Sequence, residues 1–211
     1  MLHTQTVDDS TLELLRSLQQ KEYLNGFFLV GGTALALYYG HRKSIDIDLS
    51  TNKAFDALWL LEQLQQDFTI QLHFTSTNTI KGSINNVKID LIAHRYQYLE
   101  EPLLYGDYRI LSEKDIIAMK LNAISVSGQR SKDFINLFFA LERHSIAEMI
   151  SFYQEKYGQQ GDMHVLKSLV FFDDVDLSDW PMLIKSPNLK WDEVKAKIEE
   201  KVLEYSKSNK V

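Results

Sequence analysis

Apolar residues along the first part of the chain recur with two different periods. Leu12, Leu15 and Leu18 are three apart, the spacing of one helical face, and Ser10-Thr11-Leu12-Glu13 reads as a capping box that opens the helix. Asn25-Gly26 ends it, and residues 27–30 form a short apolar run suited to a buried strand, broken by Gly31-Gly32. Residues 33–39 then read as a helix closed by Gly40. Ile45-Asp46-Ile47-Asp48-Leu49 alternates apolar and acidic, the period of a strand. Residues 54–66 form an amphipathic helix, and residues 69–74, 79–84 and 87–93 read as strands, the last two joined by a tight turn at Asn85-Asn86.

From Ser112 onward the pattern is helical, over residues 112–126, 132–143, 145–157, 162–172 and 191–206. The chain therefore divides near residue 110, with Pro102 and Gly106 in the connection. A mixed α/β unit is expected over 1–110 and an all-helical unit over 111–211. No internal repeat or low-complexity stretch interrupts this order.

Composition narrows the chemistry. At 211 residues, 45% hydrophobic and 25% charged, the chain is an ordinary globular sequence. It has no cysteine, which excludes disulfides, thiolate catalysis and cysteine-based zinc sites and suits a reducing cytoplasm. No run approaches the 18 or so apolar residues of a membrane span. Residues 1–9 are polar and acidic rather than signal-like, so the expected location is cytoplasmic. The net charge of −6 argues against general nucleic-acid binding, so any such contact needs a local basic patch.

Residues i and i+2 of a strand share a face, which puts Asp46 and Asp48 side by side, about 6–7 Å apart at the backbone. Ile45, Ile47 and Leu49 are expected to face the core. A lone Asp-x-Asp fits a solvent-facing strand edge more readily than a site. Asp90 changes that balance if the strand Val87–Ala93 lies alongside. Three convergent carboxylates without cysteine or clustered histidine favour a hard cation, Mg²⁺ or Mn²⁺. Gly31-Gly32 lets backbone approach a ligand, and free N–H groups at a helix start favour phosphate, with Thr33 as cap or hydroxyl donor. Alone, that turn is also ordinary turn chemistry.

Gly31-Gly32-Thr33 followed by Arg42-Lys43-Ser44-Ile45-Asp46-Ile47-Asp48 resembles the first motif of the AbiEii/AbiGii-type nucleotidyltransferase toxins, in the DNA polymerase beta-like nucleotidyltransferase superfamily. Asp115-Ile116-Ile117-Ala118-Met119-Lys120 is similar to the second motif, and Arg130-Ser131-Lys132-Asp133-Phe134-Ile135-Asn136 to the third. Phe172-Asp173-Asp174 stands where a further aspartate motif would fall. The resemblance runs over residues 27 to 181, with the first and third motifs the specific ones. It departs at Asn136, where the family often has aspartate, which weakens any role needing a charge there.

The resemblance implies an α+β fold: a nucleotidyltransferase-type mixed sheet with flanking helices, then an all-helical half closing the cleft. It implies a toxin of a toxin–antitoxin or abortive-infection system that consumes a nucleoside triphosphate. RNA or tRNA is an implied acceptor, and a cognate antitoxin is an implied partner that need not touch it. The nucleotide-binding set so implied is Gly31, Gly32, Thr33, Arg42, Ser44, Lys120, Arg130 and Lys132. Asp46, Asp48 and Asp90 would hold metal and, with Lys120 and Asp133, carry catalysis. Lys120 could instead be a lysine snorkelling from a helix flank, and Arg130, Lys132 and Asp133 a solvated cap. A strip of Lys81, Lys88, His94 and Arg95 could meet RNA or simply be solvated, and Tyr38, Tyr39 and Phe55 read as core. His41, His73, His94, His144 and His164 have no ligand spacing. Phosphoryl transfer on the same fold and a degenerate member acting through protein contacts are the alternative readings.

Overall fold

The computed structural model describes residues 1–208. Helix α1 spans Asp9–Gln19 and buries Leu12, Leu15 and Leu18 as the three-residue spacing predicts. Its cap position is Asp8, with no side-chain bond, and Ser10 lies inside the first turn. The expected capping box is therefore not formed. A short 3₁₀ turn at Glu22–Leu24 follows before the chain reaches Gly26.

Strand β1 is only Phe28–Leu29, and α2 begins at once, covering Gly31–Tyr39 with left-handed Gly40 as its C-cap. Strand β2 is Ile47–Thr51, two residues later than the alternation suggests. Ile45 consequently lies outside the sheet and is 63% exposed, whereas Ile47 and Leu49 are buried as expected. Helix α3 covers Ala57–Asp67, capped by the Asp56 carboxylate, which accepts from the Leu58 and Trp59 N–H groups. Strands β3 (Ile70–Ser76), β4 (Thr79–Ile84) and β5 (Val87–Ala93) form a meander. Asn85 and Asn86 both take positive φ in its second turn, which matches the two-residue hairpin read from their sequence.

The supposed connection around Pro102 and Gly106 holds a further hairpin, β6 (Leu103–Tyr105) and β7 (Tyr108–Ile110). Three-residue strands carry too few alternations for the period to show. All seven strands make one mixed sheet in the order β3-β4-β5-β2-β1-β7-β6, with β2–β5 and β1–β7 parallel.

Among the described residues, five helices follow: α4 (Glu113–Val126), α5 (Ser131–Ala140), α6 (Ile146–Tyr157), α7 (Met163–Leu169) and α8 (Trp191–Ser208). Ser112 caps α4, and Ser145 with Glu148 forms a complete capping box on α6. Helix α7 is shorter than expected at both ends. Helix α4 packs on α2, α5, α6 and α7, joining the helical part to the sheet part. One continuous apolar core runs from Leu12 through Leu49 and Leu91 to Phe134 and Ile198.

Candidate active site

The site grows from a junction of backbone elements. Val30 N–H donates to the Asp48 carbonyl at 2.9 Å, which sets the end of β1 against β2. Parallel pairing of β2 with β5 puts Asp48 opposite Asp90, and antiparallel pairing of β4 puts Lys81 opposite Asp90. Asp90 therefore shares a sheet face with Asp48, as the sequence reading requires. Lys81 Nζ lies 3.3 Å from Asp90 Oδ2, while Asp90 Oδ1 is buried with no hydrogen-bond partner.

Two adjoining cavities meet over these acids. The first, about 350 Å³, is lined by Gly32, Thr33, residues 42–46, Asp48, Lys120, Arg130, Lys132, Asp133 and residues 179–182. The second, about 270 Å³, is lined by Val30, Gly31, Asp48, Lys81, Asp90, His94 and the α4 residues Ile116, Met119, Lys120 and Ala123, with Arg130. Asp48, Lys120 and Arg130 border both, so the cavities form one cleft between the sheet and the helices. Asp46 lines only the first chamber and Asp90 only the second. Among the described residues, no three His, Cys, Asp or Glu side chains gather into an arrangement that could hold a metal ion. The three expected carboxylates are thus strung along the cleft, with Asp48 in the middle.

Electrostatics set these acids apart. Burial drives the Asp48 carboxyl above its ordinary range; Lys120 pulls it down, while Asp90 and Asp46 push it further up. Burial also raises the Asp133 carboxyl, but the adjacent Lys120, with Arg130 and Arg42, outweighs it and leaves it below the usual value. Lys120 Nζ donates to Asp133 Oδ1 at 2.7 Å, so the lysine is anchored in the cleft and does not snorkel away.

The glycine turn lines the cleft and also admits side chains of the site. Helix α2 begins at Gly31, whose φ is +73°, and a Cβ there would overlap Asp48 Oδ2. A Cβ on Gly32 would overlap Arg42 Nη2. The two glycines thus make room for a carboxylate and a guanidinium of the site itself. Thr33 is buried inside α2 and is not its cap; its hydroxyl bonds Ser44 Oγ and donates to the Asp46 carbonyl. Its role is to hold the entry of β2 in place.

Arg42 is buried, with Nε donating to Asn136 Oδ1 at 3.0 Å and Nη1 donating to the Lys43 carbonyl and Ser44 Oγ. Burial brings its guanidinium down to about 10, opposed by Asp133 and Asp46. Asn136 Oδ1 also bonds His41 Nε2 at 2.9 Å. The position that departs from the family pattern therefore supports Arg42 from behind. Arg130 is exposed at the cap of α5 and borders both chambers, whereas Lys132 reaches Asp179 at 3.2 Å.

Other expectations sort differently. Asp115, the acid of the second motif, is fully buried against Lys156 at 2.6 Å and lines neither chamber. Asp174 lines a separate hollow beside Val126 and Phe171, and Asp179 is the acid of that loop that reaches the cleft. The basic strip is broken up: Lys81 turns to Asp90, and burial lowers His94 to about 4, leaving it neutral. Tyr39 is core, and Tyr38 and Phe55 pack against it. Lys81, Asp179, Trp180 and Met182 are cleft residues that the motifs did not mark. For Lys81 a signal existed, since counting back from the Asn85-Asn86 turn pairs it with Asp90.

Residues 13–68 match the model of the family described as "Nucleotidyl transferase AbiEii toxin, Type IV TA system". A protein of Aquifex aeolicus described as uncharacterized is 31% identical over 199 residues, covering 92% of this chain and 94% of that one. Among solved structures, MenT4, a nucleotidyltransferase toxin of Mycobacterium tuberculosis, superposes with a TM-score of 0.57 at 14% identity, covering 90% of this chain and 79% of that one. A nucleotidyltransferase structure from Helicobacter pylori gives 0.54 at 16% identity, covering 95% and 96%. These structures share the fold.

Proposed function

The chain belongs to the AbiEii nucleotidyltransferase toxin family, and from that premise we propose that it transfers a nucleotidyl group from a nucleoside triphosphate to an acceptor hydroxyl on RNA, tRNA included. The observation that carries this reading is the in-register pair Asp48 and Asp90, facing Lys120 and Arg130 across one cleft. Residues 1–110 would supply the sheet wall and residues 111–211 the helical wall. A cognate antitoxin would restrain the activity without necessarily touching the protein. The cytoplasm is where a triphosphate-consuming enzyme of this kind would act.

A hard divalent cation fits the residues present. Asp90 Oδ1 is a buried acceptor without a donor, and Asp48 is a carboxyl that burial and two neighbouring acids keep from ionising readily. Asp48 and Asp90, with Asp46 at the strand entry, would hold Mg²⁺ or Mn²⁺ once their carboxylates turn toward one another, since as placed they do not converge on one point. When bound, such an ion neutralises phosphate charge and favours in-line displacement.

The acceptor oxygen forms its bond to the α-phosphorus as the bridge to the β-phosphate breaks, and pyrophosphate leaves. Asp90, whose side chain lines the second chamber, takes the acceptor's proton. Lys81, 3.3 Å from Asp90 Oδ2, orients the carboxylate for that task. Lys120 and Arg130 stabilise charge on the departing pyrophosphate. Arg42, too buried to move far, contributes a fixed positive field to the first chamber.

The test uses nucleoside triphosphates labelled at the α-phosphate, Mg²⁺ and total RNA. Label should enter RNA with the wild type and not with Asp46→Ala, Asp48→Ala or Asp90→Asn; full transfer by either alanine variant refutes the scheme. Entry of γ-label alone would mean phosphoryl transfer instead. Absence of any nucleotide binding in calorimetry would leave a protein acting through contacts.

A further inference from the structure

The first chamber has a lining of mixed polarity. Cationic Arg42, Lys120 and Arg130 and acidic Asp46 and Asp48 share it with apolar Ile45, Trp180 and Met182. Ile45 is 63% exposed and Met182 72% exposed, although both are large apolar residues. Single exposed apolar side chains need no explanation. Two of them grouped with an indole in a chamber that also holds Arg42, Lys120 and Arg130 suit one ligand class, a flat uncharged ring joined to a polyanionic tail.

The segment bearing Trp180 and Met182 is stitched down on both sides. Ser131 Oγ donates to Asp179 Oδ1 at 2.9 Å and Lys132 pairs with Asp179 Oδ2, which ties it to the start of α5. Lys43 N–H donates to the Met182 carbonyl and Ile184 N–H to the His41 carbonyl, both at 2.8 Å, which ties it to the stretch before β2. Trp191 packs edge-on against the Trp180 ring, with centroids 6.3 Å apart. The wall is thus ordered before any ligand arrives, so little ordering entropy is left to oppose binding.

We propose that Trp180, flanked by Ile45 and Met182, is the wall on which the nucleobase of the triphosphate stacks. This rests on the nucleotidyltransferase reading and makes these three residues determinants of nucleoside affinity, while the triphosphate is held by the cations of the same chamber. Asp179 and Lys132 are then positioning residues for the wall.

Calorimetry with Mg²⁺ separates the two parts of the ligand, using ATP, GTP, CTP and UTP in turn and inorganic tripolyphosphate as the ring-free probe. Trp180→Ala should weaken the nucleotide that the wild type binds by about tenfold, the usual loss of a stacked base, and leave tripolyphosphate unchanged. Trp180→Phe should recover most of that loss. Ile45→Ser alters an exposed side chain with little risk to folding and should weaken the nucleotide by roughly threefold, again sparing tripolyphosphate. If Trp180→Ala and Ile45→Ser bind nucleotide as the wild type does, or weaken tripolyphosphate equally, the stacking wall is wrong while the nucleotidyltransferase reading stands. If the wild type binds neither nucleotide nor tripolyphosphate, that reading falls and the wall with it.

Discussion

Lys120→Met tests whether the Lys120–Asp133 pair is structural, catalytic or both. The two side chains are 15% and 7% exposed, so the substitution strands a carboxylate in poor solvent. Breaking a buried pair by removing one partner typically costs about 3–5 kcal/mol. Arg130 and Arg42 still favour ionised Asp133, which brings the cost below that range, to about 2–3 kcal/mol. Asp133→Asn should cost less, about 1 kcal/mol, because Lys120 retains some access to water. The double variant has no stranded charge and should also lie near 1 kcal/mol, so the coupling energy should be about 2 kcal/mol.

Urea unfolding of the four proteins measures this cycle, and strict additivity would refute the coupling. Nucleotidyl transfer should behave differently. Both variants lacking Lys120 should lose roughly 10²–10³ in rate, because the charge aimed at pyrophosphate is gone whatever Asp133 becomes. Recovery of transfer in the double variant would show that Lys120 matters only to the fold. The pH dependence gives an independent check. Asp133 has a lowered carboxyl value, so its stabilisation is present above the unfolded value, about 3.9, and is lost as pH falls through the folded one. In Lys120→Met that acid-side loss should shrink.

Gly31→Ala should abolish transfer and destabilise by about 1–2 kcal/mol, since its Cβ overlaps the Asp48 carboxylate at a positive φ; a urea midpoint unchanged from wild type would contradict the geometry. Asp48→Asn should raise stability while eliminating transfer, because a carboxyl whose folded value is raised costs stability at neutral pH; a lower melting temperature would refute this. His41 is held neutral, near 3, mainly by burial, so the unfolded chain binds more protons between about 3 and 6.5. Stability should therefore fall as pH drops through that window, by about 2–3 kcal/mol at pH 4.5. Asn136→Asp, which sets a carboxylate against His41 and Arg42, should raise the histidine's value and flatten that fall in a pH series of urea midpoints.

The readable parts of the chain were those where one local rule governs. The hairpin Thr79–Ile84 to Val87–Ala93 follows from alternation plus an Asn-Asn turn, and its bounds are as read. The face shared by Asp48 and Asp90 follows from strand period and one assumption about neighbours. Ile45 misleads because period alone cannot say where a strand begins, and this one begins after Asp46. Gly31 and Gly32 were legible only in part: a glycine pair signals close approach, but not that Asp48, seventeen residues beyond Gly31, and Arg42, ten beyond Gly32, are side chains that approach. Trp180 and Met182 were illegible, because their place in the cleft is set by backbone bonds to His41 and Lys43, which no spacing records.

The second motif shows how a single string can serve both fold and chemistry. Asp115 and Lys120 stand five apart on α4, so they point in different directions around the helix. Lys120 turns to the cleft, whereas Asp115 turns to Lys156 on α6 and accepts from Ser112 Oγ and from the Leu99 and Glu100 N–H groups. Those two amides belong to the chain that leaves β5, the strand carrying Asp90. Lys156 in turn donates to the Gln97 carbonyl of the same stretch. The buried pair therefore clamps the exit of the Asp90 strand to the helix that carries Lys120, and so fixes the separation of the two walls. An acid that touches no ligand can be as necessary to the cleft as one that does. A carboxylate with this many directed donors positions both walls with a precision that apolar packing at the same place would not supply.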